Sequence, residues 1–102
     1  MFLVLLTYTA DLDTIDGLMK RHVAFLEPHL KSGTFVAAGR QNPRTGGVIL
    51  VRAKSREAVA EIMAVDPFMT EGAAEFEVIE FRTSLHHADF KPFADPRTRT
   101  VR

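Results

Sequence analysis

Residues 2–9, with the sequence FLVLLTYT, predict a β-strand whose two faces are both apolar. Successive side chains of a strand point to opposite faces. Phe2, Val4 and Leu6 therefore face one way, and the two leucines between them face the other. A sheet with one hydrated face would instead show alternating apolar and polar residues. Both faces of this strand have to be covered in the folded protein.

The remaining patterns predict one domain with the element order β-α-β-β-α-β. The first helix follows the potential N-cap residues Asp11 and Asp13 and ends at Gly33. The second helix begins after Ser55 and ends at Asp66, which precedes a proline. This order is typical of an α+β, ferredoxin-like fold, in which two helices cover one face of a four-stranded antiparallel sheet. The other three strands are predicted at residues 34–39, 47–53 and 75–83.

Two helices leave the second face of such a sheet open. The third strand, residues 47–53, is also apolar on both sides, so the open face would expose a larger apolar patch than monomeric proteins usually tolerate. The simplest solution is a homodimer that packs two open faces together as a dimeric α+β barrel. Residues 1–84 would form this domain, and residues 85–102 an irregular arm that packs on the partner subunit. The alternative is that the arm folds back over its own sheet.

The composition disfavours several functional classes. Thirteen basic residues balance thirteen acidic ones among 102 residues, whereas proteins that bind nucleic acids or anionic membranes usually carry a basic excess. Residues 2–9 are too short for a transmembrane helix and lack the flanks of a signal peptide. The chain has no cysteine, which removes thiol chemistry and favours the reducing cytoplasm. The adjacent His86 and His87 alone make a poor metal site, so we expect no metal.

His22 is the most informative polar residue, because it lies within the apolar stripe of the first helix. Its ordinary interpretation is a core histidine bonded to a backbone carbonyl. Asp66 offers a second interpretation, since the two residues lie at depths that differ by only about 5 Å along neighbouring helices. A carboxylate on one ring nitrogen would fix the tautomer and leave the other nitrogen free as a general base. Asp66 would alternatively cap the turn before Pro67, and both roles are compatible.

Three ordered motifs resemble the YCII-related family over residues 1–84. The resemblance rests on H-x-x-[YF]-L at residues 22–26, on glycines at positions 33, 39 and 47, and on D-P-[FY]-x-x-x-G at residues 66–72. The family implies a dimeric ferredoxin-like fold and a His–Asp active site, here His22 and Asp66. Some members are linked to the breakdown of hydroxylated or chlorinated aromatics, and the wider dimeric α+β barrel group includes lactone isomerases.

Three further residues are candidates for substrate binding. Arg40 stands where many relatives have proline and would bind an anionic substrate, or it is a solvated turn residue. Tyr8 ends the first strand, so its hydroxyl either lines the pocket or is simply hydrated. Phe68 belongs to the same motif as Asp66.

The leading functional hypothesis is a small-molecule enzyme without a cofactor. His22, oriented by Asp66, would abstract a proton from a small cyclic or aromatic acid during isomerisation or elimination. The first alternative is a non-catalytic ligand-binding or regulatory dimer that uses the same cleft. The second alternative is a pair with a structural role alone.

Overall fold

The computed structural model describes residues 1–101, and its core is a four-stranded antiparallel sheet with the strand order β2-β3-β1-β4. This arrangement confirms the predicted α+β, ferredoxin-like fold. None of the helices in the described part of the chain is long and apolar enough to span a bilayer. The elements are β1 Phe2–Tyr8, α1 Leu12–Ser32, β2 Phe35–Arg40, β3 Gly46–Val51, α2 Arg56–Met63, α3 Pro67–Thr70, β4 Ala74–Glu80, β5 Leu85–His87, a 3₁₀ helix Ala88–Phe93 and β6 Arg99–Val101.

Helix α1 begins and ends where the sequence predicts. The Asp11 side chain accepts a hydrogen bond from the Thr14 backbone N–H at 2.8 Å, which satisfies one of the free donors of the first turn. Gly33 ends the helix with a positive φ of 81°, a conformation that glycine adopts without steric cost. The helix buries Ile15, His22 and Leu26. Their spacing of seven and four residues places them on one face.

The second helical region differs from the prediction, because it consists of two helices. Helix α2 ends at Met63, and Asp66 is not its last residue but the N-cap of the separate helix α3. The cause is local: Asp66 has extended backbone angles before Pro67, and the proline starts the next helix at its first position. Val65 lies in the turn that connects the two helices, and its side chain is 64% exposed.

The two faces of the sheet differ in burial, because successive side chains of each strand point to opposite faces. Side chains of the central strands on the helix-bearing face, including Phe2, Val4 and Ile49, are at most 2% exposed. On the opposite face, the side chains of β1 and β3 remain only partly buried, and Ile79 on β4 is 38% exposed. We define the open face by these apolar residues, Leu3, Leu5, Val48, Leu50 and Ile79.

The C-terminal arm is more regular than predicted. Strands β5 and β6 pair in parallel, and the His86 ring bonds the hydroxyls of Thr98 and Thr100 at 3.2 and 2.8 Å. The two strands pair residues fourteen positions apart, such as Leu85 with Arg99, which a local sequence pattern does not predict. The arm contacts mainly itself. It is attached to the domain through Asp95, which accepts hydrogen bonds from the Met1 amine at 3.1 Å and the Thr83 backbone N–H at 2.8 Å.

Gly46 provides a test of the packing between β3 and β1. A Cβ at this position would lie 1.7 Å from the Leu6 carbonyl oxygen, which is backbone and cannot move aside cheaply. We expect Gly46→Ala to lower the free energy of unfolding by about 1–3 kcal/mol or more, measured by urea denaturation. Gly17→Ala is the matched control, because nothing lies within 4 Å of its Cβ and alanine favours the helix. Equal stability of the two variants would contradict the close approach.

The attachment of the arm should depend on pH. Burial raises the pKa of Asp95, but the hydrogen bonds from Thr83 and the Met1 amine outweigh it and hold the pKa below 3.8. Because the pKa of Asp95 is lower in the folded protein, its carboxylate stabilises the attachment at pH values above the pKa of the unfolded chain. This stabilisation is lost as the pH falls through the pKa of the folded protein. We expect amide exchange at Thr83 to accelerate below about pH 4, beyond the intrinsic pH effect.

Two variants identify the group responsible for that transition. Asp95→Asn removes the titrating carboxylate, so the acid-dependent step at the Thr83 amide should disappear. Asp89→Asn changes a side chain on the same arm that is 95% exposed, and the step should persist. If the acid-dependent acceleration of exchange at the Thr83 amide persists in Asp95→Asn, another group is responsible for it.

Candidate active site

His22 reaches the space between α1 and the sheet because it lies on the buried face of the helix. Its side chain is 9% exposed. The Nδ1 atom lies 2.9 Å from Oδ1 and 3.0 Å from Oδ2 of Asp66. A carboxylate can only accept in such a contact, so Nδ1 carries the proton and donates it. In the neutral form of this tautomer the free lone pair is on Nε2, which bonds no other residue between positions 1 and 101.

Asp66 has no exposed side-chain surface. Besides the imidazole, its Oδ1 accepts the backbone N–H of Phe68 at 3.0 Å, which makes Asp66 the N-cap of α3. A buried carboxylate without donors would be costly, and here two donors satisfy it. The two roles considered for Asp66, partner of His22 and cap before Pro67, therefore occur together.

The His22 ring is held in its plane by Phe68. The two rings stack with centroids 4.0 Å apart and planes inclined by 10°. Tyr8 and Phe68 form a T-shaped pair with a centroid distance of 5.9 Å and an interplanar angle of 81°. The stack restricts rotation of the imidazole, and the bond to Asp66 fixes which nitrogen is protonated.

A cavity of about 360 Å³ lies between α1 and strands β1, β2 and β3. Its volume lies within the range of small-molecule sites. His22 and all three predicted substrate-binding residues, Tyr8, Arg40 and Phe68, line it. Asp66 does not, because it lies behind the imidazole. Besides Phe68, the apolar part of the lining consists of Leu6, Met19, Val23, Leu26, Ala38, Gly39, Gly47 and Ile49.

Sequence reasoning missed Arg44, which also lines this cavity. Arg44 lies in the connection between β2 and β3, and the sequence does not reveal that this connection lies beside the cavity. The Arg44 Nη2 group donates to Asp16 on α1, and its Nε is buried without a hydrogen-bond acceptor in the described chain. The Arg44 guanidinium holds the pKa of Asp16 below its usual value, and Asp16, followed by the Tyr8 hydroxyl, raises the pKa of Arg44.

Other parts of the molecule offer less chemistry. No group of three or more His, Asp or Glu side chains within residues 1–101 is placed to hold a metal ion. His86 of the predicted poor metal site is bonded to threonine hydroxyls of the arm. A larger cavity of about 640 Å³ lies where the arm meets the end of the sheet, but it shares no lining residue with the His22 cavity. The His22 cavity is therefore the candidate active site.

Comparison with solved structures identifies a similar fold in 5-chloro-2-hydroxyhydroquinone dehydrochlorinase (TftG) from Burkholderia phenoliruptrix AC1100, solved in complex with 2,5-dihydroxybenzoquinone. The TM-score is 0.68 at 21% sequence identity, and the match covers 82% of this chain and 96% of that chain. At this identity the likeness concerns the fold alone. No curated protein matches the chain.

One protein family matches most of the sequence. The YCII-related domain matches residues 1–82, which include the whole four-stranded sheet, both residues of the His22–Asp66 pair and every residue that lines the cavity. The arm from Leu85 onward lies outside the match. This chain belongs to the YCII-related domain family.

Proposed function

We propose that this protein is a small-molecule enzyme in which His22 acts as a general base on a small cyclic or aromatic acid, without a cofactor. One observation carries the proposal. The His22 Nδ1–H is donated to a fully buried carboxylate, while the ring lines a cavity large enough for one small molecule. This arrangement presents an unprotonated nitrogen to a ligand and stabilises the imidazolium that forms when the nitrogen takes a proton.

The proposed reaction is an isomerisation or an elimination. His22 Nε2 removes a proton from the substrate, and the electron pair of the broken bond moves into the ring system. In an isomerisation the imidazolium returns the proton to another atom. In an elimination the electron pair forms a double bond while the leaving group departs as an anion. Asp66 keeps its charge throughout and compensates the imidazolium.

The choice of substrate class has two supports. The apolar lining and the Phe68 ring favour a flat, mostly apolar ligand with a few polar groups. The structural relative TftG is by its name a dehydrochlorinase of a chlorinated hydroxyhydroquinone. Loss of a proton and a chloride is an elimination of the proposed type. A panel of hydroxylated aromatics, their chlorinated analogues and small lactones therefore covers the proposed chemistry.

Asp66→Asn tests the role of the pair. The asparagine oxygen can keep the cap on the Phe68 N–H, but its amide group presents a donor to Nδ1 and moves the ring proton to Nε2, where no base remains. We expect kcat/KM on an active member of the panel to fall by roughly a hundredfold or more. The free energy of unfolding should fall less than in Asp66→Ala, which leaves buried donors unpaired at about 1–3 kcal/mol each.

Asp13→Asn is the control for this experiment, because it makes the same change at a position that is exposed on the first turn of α1. Unfolding and turnover should both remain close to those of the wild type. A ligand that binds without turnover would support the non-catalytic ligand-binding alternative. A large loss of stability in Asp66→Asn with no effect on ligand would show that the pair is structural.

We also propose that two copies of the chain form a homodimer through their open faces, with residues 85–102 packing on the partner subunit. The support is the partly exposed apolar surface of β1 and β3, which the arm of the same chain does not bury. Glu75 and Glu77 lie beside it on β4 and would form a polar rim. The proposed compartment is the cytoplasm, which suits a chain without cysteine.

Leu5→Lys tests the dimer, because Leu5 faces the open side at the centre of the sheet. We expect light scattering to give twice the chain mass for the wild type at micromolar concentration and the single chain mass for the variant. A buried lysine without a partner disfavours association, whereas the helix-bearing core keeps its packing. Leu12→Lys is the matched control, since Leu12 is 45% exposed at the start of α1. A monomeric wild type would contradict the proposal.

A further inference from the structure

We propose that Arg44 and the Tyr8 hydroxyl form an anion-binding subsite in the His22 cavity, and that the ligand is a ring compound with an anionic oxygen at this end. The oxygen belongs to a carboxylate or to an ionised ring hydroxyl. The inference rests on the proposed function, because it names the substrate class of the same cavity. It assigns a binding role to a residue that the sequence motifs do not include.

The hydrogen bonding of the Arg44 guanidinium leaves donors available. Nη2 donates to Asp16, and Nε is buried without a hydrogen-bond acceptor among residues 1–101. Buried or partly buried donors in proteins almost always have a partner. The side chain is 24% exposed and lines the cavity, so a ligand oxygen is the natural acceptor for the free donors. Arginine binds oxygen anions through several directed N–H groups.

The arrangement of charges also favours an anion at this end. The ionised side chains that line the cavity are Arg40, Arg44 and Asp16, which together carry one net positive charge. The buried Asp66 carboxylate lies behind the imidazole instead. Asp16 and His22 are six residues apart on α1, which corresponds to about 9 Å along the helix axis. One ring can therefore lie between the anion-binding end and the base.

The turn that carries Arg44 is held in place before any ligand binds. The Tyr8 backbone N–H donates to the Thr45 carbonyl at 2.9 Å, and the Gln41 N–H donates to the Gly46 carbonyl at 2.9 Å. The contact with Asp16 ties the same turn to α1. A donor that is already positioned binds an anion with little loss of conformational entropy. A tie between turn and helix would by itself account for the Asp16 contact, but not for a buried Nε that has no acceptor in the described chain.

Tyr8 makes the subsite directly observable. It is the only tyrosine of the chain, and the chain has no tryptophan, so the intrinsic fluorescence of the protein reports on this cavity. The full chain is titrated with benzoate and with its neutral analogue benzamide, and separately with pentafluorophenolate and pentafluorobenzene. The first pair tests a carboxylate and the second an ionised ring hydroxyl. Wild-type protein should bind at least one anion more tightly than its neutral analogue.

Arg44→Gln should weaken binding of the preferred anion by about tenfold or more, the loss expected for one charge-assisted contact, and leave the neutral analogue within about twofold. Arg21→Gln is the matched control, because Arg21 pairs with Glu71 at 3.5 Å on the surface and does not line the cavity. Its binding should equal that of the wild type. A wild type without preference for either anion, or an equal effect of Arg44→Gln on anion and analogue, would overturn the proposal.

Asp16→Asn separates ligand binding from a structural role of the ion pair. It breaks the same ion pair but keeps the Arg44 charge, so affinity for the anion should be maintained or increased. A loss in Asp16→Asn equal to that in Arg44→Gln would overturn the proposal in favour of a structural tie. The readout is binding and not turnover. An anion preference without turnover of any panel compound would sink the proposed enzyme alone, and turnover without anion preference would sink this inference alone.

Discussion

The buried carboxylate of Asp66 is the interaction on which the candidate site depends. It accepts hydrogen bonds from the His22 ring on α1 and from the Phe68 backbone N–H on α3. It therefore joins two helices that are remote in the sequence. The same two bonds place Phe68 against the imidazole, with the rings 4.0 Å apart. Helix capping, ring orientation and the choice of tautomer thus follow from one group. Structural and chemical roles are inseparable at this residue.

The central strands place the site and leave a second surface open. On one face of the sheet, Val4 and Ile49 pack under the helices, and further along the same strands the cavity forms where Gly47 contributes no side chain. On the other face, Leu5 and its neighbours are only partly buried. Strand β1, which is apolar on both faces, therefore contributes to the core that supports His22 and to the surface proposed for a partner. Both faces of the sheet have to be covered, since neither is polar enough to be left fully hydrated.

Family membership fixes the scaffold, whereas the chemistry follows from the side chains that line the cavity. The His22–Asp66 contact gives the imidazole a defined tautomer, and the proposed base of the reaction is this ring. The same cavity is also lined by three side chains with polar or charged groups, Tyr8, Arg40 and Arg44, whereas most of its walls are apolar. The proposed reaction depends on the pair, and the proposed ligand class depends on the arginine-bearing end.

The sequence alone determined the order of the four sheet strands, the limits of α1 and the two apolar faces of β1, because capping and periodicity act within a few residues. It also placed His22 on a buried helix face and pointed to Asp66. Only the tertiary structure decided that the arm forms strands and that Arg44 lies beside the cavity. Arg44 meets Asp16 across 28 positions of sequence, and such contacts arise from packing that no local pattern records.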